Sequence, residues 1–180
     1  MGQGLYIHAK AIYAQHLLHG AFDESLRSGR IVKPWRWADT WPVARLEAPR
    51  LGASAIVLHG GSGQALAFGP GHLEGTPKPG EPGAAVISAH RDTHFRFVKD
   101  VRIGDELAVA RIDGARAQFR VRRIAVVRWD ASGVDAQADG RWLVLATCWP
   151  FDAATQGPWR YLVHAELEDM TRHTAAVVER

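Results

Sequence analysis

The sequence predicts a mainly β protein, closed or nearly closed into a barrel and preceded by one helix. Three observations carry this. Beyond residue 43, short apolar runs recur between closely spaced glycine, proline and aspartate turn signals. Asp113-Gly114, between two of those runs, is a strong signal for a tight hairpin. Before residue 29, apolar residues repeat at helical rather than strand spacing. At 180 residues, 47% of them hydrophobic and 23% charged, the chain suffices for one domain with a real core.

Residues 5–28, "LYIHAKAIYAQHLLHGAFDESLRS", are predicted helical because Ile7, Ala11, Ala14, Leu18 and Phe22 fall on one face. Gly29 and Pro34 stop the helix. Three tryptophans and two prolines then precede Ala44, and residues 1–42 read as a helix plus a Trp/Pro-rich stem. From Ala44 the period becomes two, with Ala44, Leu46 and Ala48 against Arg45 and Glu47. Strands are predicted at "SAIVLHG", "AAVISAH", "DELAVARI", "AQFRVRRIAVV", "WLVLATC" and "RYLVHAEL". The Gly/Pro-rich 68–83, "FGPGHLEGTPKPGEPG", is predicted as one long loop. The barrel is therefore expected over 43–167, with 168–180 as a C-terminal tail.

A net charge of +3 does not imply nucleic acid, though it suits a protein near an anionic membrane surface. No stretch reaches the roughly 18 apolar residues of a membrane span, and no signal-peptide pattern opens the chain. A single cysteine excludes an intramolecular disulfide and any multi-cysteine metal site. The hairpin 111–128 carries Arg111, Arg116, Arg120, Arg122, Arg123 and Arg128, of which Arg116, Arg120 and Arg122 share a face. A solvated strand face explains them, and no nucleic-acid motif accompanies them. His8, His16 and His19 read as a solvated helix face, and the His90/His94 pair lies past a strand rather than on a helix. Asp100, Asp105 and Glu106 are the nearest approach to a carboxylate cluster, and neither a metal nor a cofactor is expected.

Three residues stand at predicted strand ends. His90 ends "AAVISAH", Cys148 ends "WLVLATC" and Arg160 opens "RYLVHAEL". Strand ends are where a rigid scaffold presents side chains to a ligand. Singly, each has an ordinary explanation: a small core thiol, a surface imidazole, a solvated guanidinium.

Together they match a known arrangement. In "ISAHRDTHFRF" (87–97), "ATC" (146–148) and "GPWRYLV" (157–163), the chain resembles the sortases, the cysteine transpeptidases of bacterial surfaces. The order is His, Cys, Arg, with gaps of 58 and 12 residues, and the likeness covers roughly residues 40–167. "HRDTHF", "FGPGH" and "TCWPFD" look most like the sortases of Gram-negative proteobacteria, class GN. Two departures stand out. Ala89 replaces the glycine that usually precedes the histidine, and the loop between Cys148 and Arg160 is slightly short.

The resemblance implies a closed sortase-type barrel with short helices, and catalysis by His90, Cys148 and Arg160. Cys148 would attack a threonine carbonyl in a C-terminal sorting signal, forming a thioacyl enzyme that an amine acceptor resolves. It further implies that only a minority of molecules hold thiolate and imidazolium together. Thr147 is a candidate for shaping the substrate groove; Asp92 and His94 are expected in a surface turn. The implied partners are a sorting-signal-bearing protein and an amine acceptor. The implied location is the cell envelope, anchored in the inner membrane by a helix upstream of residue 1, with the catalytic domain on the periplasmic side. The chemistry agrees: a free thiol titrates near about 8.5, so a neighbouring cation favours the thiolate, and an always-charged arginine suits an oxyanion. Papain-like enzymes reverse the Cys–His order, and the "SHGC"-type motif of L,D-transpeptidases is absent. A chymotrypsin-like cysteine protease and a non-catalytic β-barrel binding module stay open as alternatives.

Overall fold

The structure is a computed structural model describing residues 2–153, 155 and 157–172, with side chains from residue 13 to residue 171. Helix α1 spans Gly2–Ser28; His8 lies outside the described side chains. Its C-terminus is closed by Gly29, at φ 66°, whose N–H donates to Ser25 O at 2.9 Å. Leu18 and Phe22, buried, pack on Ile56 and Leu58, so the C-terminal part of the helical spacing read from the sequence docks on the barrel.

Eight strands close the barrel. They are β1 (Pro42–Ala48), β2 (Ala53–His59), β3 (Gly71–His72), β4 (Gly83–Ser88), β5 (Glu106–Arg111), β6 (Ala115–Arg128), β7 (Arg141–Trp149) and β8 (Trp159–Arg172). Around the barrel the order is β1-β2-β3-β4-β7-β8-β6-β5. All neighbours are antiparallel except β2–β3 and β4–β7. The interior holds Leu46, Val57, Ile87, Phe95, Leu107, Phe119, Leu143, Leu145 and Val163. Period-two burial in β1, Pro42 to Ala48, aims alternate residues at that core.

The predicted loop 68–83 contains β3. Two residues carry no periodicity, so composition hid the strand. Gly71 lies so close to β2's end that a Cβ there would fall 2.1 Å from Gly60 O. Before it stands a one-and-a-half-turn helix, α2 (Gly63–Phe68), capped by Ser62 Oγ accepting from Ala65 N at 3.2 Å. At the other end, β8 runs on past Leu167, because Asp169, Met170 and Thr171 pair with β6 residues Gln118, Ala117 and Arg116. Residues 173–180 of the expected tail lie outside the described residues. The Asp113-Gly114 turn is as expected: Gly114, at φ 81°, donates its N–H to Arg111 O at 3.1 Å.

The arginines of 111–128 are mostly paired locally. Arg120 bonds Glu168, Arg122 bonds Glu166, Arg128 bonds Asp130, and Arg111 bonds Asp113 and Glu81. Asp105 is held by Arg50 through Nε at 2.6 Å and Nη2 at 2.7 Å. That bond holds its carboxyl below the usual range.

Candidate active site

The parallel pair β4–β7 and the antiparallel pair β7–β8 place three chain segments side by side at one end of the barrel. Ser88 is in register with Ala146, and Ala89 N–H donates to Ala146 O at 3.2 Å. His90 follows two residues beyond the end of β4, beside the end of β7. On β7's other side, Cys148 is the direct cross-strand partner of Arg160. Directly opposed residues share a sheet face with Cα atoms about 4.5–5.5 Å apart. His90 and Cys148 line two adjoining hollows together, and Arg160 lines the larger one.

Alternation along β7 explains why the thiol is not core. Leu143 and Leu145 point into the barrel, whereas Val144 and Ala146 point outward with Leu162. Thr147 is inward and buried, and Cys148 is outward and half-buried. The larger hollow, about 560 Å³, is an outer-face groove with an apolar floor of Val86, Val144 and Leu162. Leu66 of α2, Leu73, Trp129 and Val134 wall it. The smaller hollow is more polar and contains Asp92 and Asp152.

Arg160 donates through Nη1 to Gly157 O and Trp159 O, both at 2.9 Å. Its Nε and Nη2 have no acceptor among the described residues, so donors remain for a ligand. Thr147 Oγ1 donates to Ala89 O at 2.7 Å. Its hydroxyl thus braces the turn that carries His90, and Thr147 also lines the larger hollow. Asp92 is exposed. His94 is half-buried; burial, then the neighbouring His90, pushes it below its ordinary range.

Sequence reasoning missed Arg91. It is 9% exposed, and its Nη2 donates to Ala153 O and, at 2.9 Å, to Thr155 O. It ties the turn after β4 to the loop between Cys148 and Arg160. An arginine among polar loop residues looks solvated until the distant carbonyls are known. Trp129 and Val134 were also missed, since they reach the groove from a connection with no motif of its own. Among the described residues no histidine, cysteine or carboxylate cluster of metal-binding size occurs.

Comparison with known proteins bears directly on this arrangement. A family model described as Sortase domain matches residues 46–168. Sortase D of Bacillus subtilis strain 168 is 31% identical over 121 residues, which is 67% of this chain and 61% of that protein. The chain thus spans about three fifths of that relative's length. Among solved structures, sortase A from Corynebacterium diphtheriae superposes with a TM-score of 0.65 at 27% identity, covering 74% of this chain and 63% of that one. Sortase E from Streptomyces avermitilis gives 0.61 at 26% identity, covering 73% and 90%.

Proposed function

The chain belongs to the sortase family, and from that premise we propose that it is a cysteine transpeptidase using Cys148, His90 and Arg160. The observation that carries this is the pairing of Cys148 with Arg160 across β7–β8, with His90 on the opposite flank. Cys148 Sγ attacks the scissile carbonyl of a C-terminal sorting signal lying in the apolar groove. The oxyanion that forms accepts from the uncommitted donors of Arg160. The C–N bond breaks as His90 gives its proton to the leaving amine, and a thioester remains on Cys148. An incoming amine then attacks the thioester, passes its proton to His90 and displaces the thiolate. The substrate protein is thereby joined to the acceptor.

Finer assignments belong to the same proposal. The motifs "HRDTHF", "FGPGH" and "TCWPFD" favour the class found in Gram-negative proteobacteria. The domain then works on the periplasmic side of an inner membrane, held by a helix upstream. No helix among the described residues is itself long and apolar enough to cross a membrane.

The test is mass spectrometry of the protein after incubation with a library of C-terminal sorting-type peptides. The expected result is an acyl adduct on Cys148, absent in Cys148→Ala and released by an added amine. No adduct with any peptide, together with methanethiosulfonate labelling of Cys148 only after denaturation, returns the cysteine to a structural role.

A further inference from the structure

We propose that the last turn of α1 and the strap that leads from it toward the barrel, residues 26–37, form a docking surface for an anionic lipid bilayer. Its sequence, "LRSGRIVKPWRW", places a basic residue at every third position: Arg27, Arg30, Lys33 and Arg36. From residue 25 to residue 41 the only acidic residue is Asp39. Between these cations the strap exposes apolar side chains that a soluble surface ordinarily hides. Trp37 is 81% exposed, Ile31 59% and Leu26 43%, and Tyr13 of α1 is 64% exposed on the same cavity rim as Trp37 and Arg36.

Two further facts separate this surface from an ordinary solvated loop. The strap is built, not loose. Pro34 and Ala38 are buried, Trp35 packs edge-on to Phe68 at 5.0 Å, and Val32 N–H donates to Ser25 Oγ at 3.0 Å. Trp37 is presented outward between two buried residues. The cations also differ from those of the β6 hairpin. There the arginines bond Glu168, Glu166 and Asp130; in the strap only Arg27 is paired, with Glu24, whereas Arg30, Lys33 and Arg36 have no carboxylate within 4.0 Å among the described residues. Uncompensated cations interleaved with exposed tryptophan and aliphatic side chains match the polar and apolar layers of a headgroup interface. A nucleic acid would use the cations and the tryptophan, but it offers no layer for Leu26 and Ile31. This reading does not depend on the catalytic one.

The test is co-sedimentation of the whole chain with vesicles of phosphatidylcholine, alone or with about 30% phosphatidylglycerol, at low salt and at roughly 0.5 M NaCl. Binding is expected to the anionic vesicles and to be largely lost at high salt. Each basic residue removed should weaken it about fivefold, so R30Q/K33Q/R36Q should weaken it on the order of 100-fold. W37S should weaken it and remove part of the fluorescence quenching by brominated lipid. R116Q/R122Q, on the exposed side of β6, should bind like the wild type. Equal binding to neutral vesicles, unchanged binding by the triple variant or equal loss in R116Q/R122Q would overturn the proposal. So would binding of a single-stranded oligonucleotide with none to vesicles.

Discussion

Cys148 owes its place at the groove to parity. One residue earlier the side chain enters the barrel, as buried Thr147 does; at 148 it meets the groove, opposite Arg160. Arg160→Lys keeps a charge but loses the planar fork, so kcat for peptide cleavage should fall about 10²–10³-fold. Methanethiosulfonate labelling of Cys148 should persist in that variant, which separates a lost oxyanion donor from a lost fold. Thr147→Val keeps the shape of the buried side chain and deletes the bond to Ala89 O. Denaturant titration should show a loss of about 1–3 kcal/mol, because a buried carbonyl is left unpaired. Turnover should fall with it, and Thr147→Ser should restore most of both. His90, Cys148 and Arg160 were legible as strand-end residues. The hydroxyl bond of Thr147 and the bridging role of Arg91 were not, because their partners lie 58 residues or more away in sequence.

At the scale of elements, periodicity found what was long enough to have a period. Helix α1 and the longer strands show it; β3 and α2 do not, though Leu66 of α2 and Leu73, next after β3, wall the groove. Gly71→Ala tests the importance of β3. The added Cβ meets Gly60 backbone at 2.1 Å, so thermal unfolding should shift down and expression of folded protein should drop. Gly20 gives the opposite outcome. It lies exposed within α1, has no left-handed φ, and a Cβ there meets nothing within 4 Å. Gly20→Ala should therefore stabilise by about 0.8–1 kcal/mol, read from the urea midpoint.

For the molecule as a whole, acid is the condition to which this barrel should be most sensitive. His164, on the outer face of β8, is 8% exposed beside Arg123 at 3.0 Å, and burial followed by that guanidinium lowers its pKa to about 4. The folded protein keeps the imidazole neutral, while the unfolded chain takes a proton near the ordinary value of about 6.5. Stability from this residue is thus fully present above about pH 6.5 and is lost progressively as pH falls toward 4. His72 and His94, also shifted down by burial, act in the same sense. Thermal midpoints across pH 4–7 should show the decline, and His164→Gln should flatten it. Taken by itself, the sequence determined the β-rich class, the leading helix, most strand positions and the His–Cys–Arg order, because periods, turn residues and motif types are local properties. Only the tertiary structure decided which strands neighbour one another, that 58 residues of chain return His90 to Cys148, and which loops wall the groove. Those depend on closing one sheet upon itself, and closure is a property of all eight strands together.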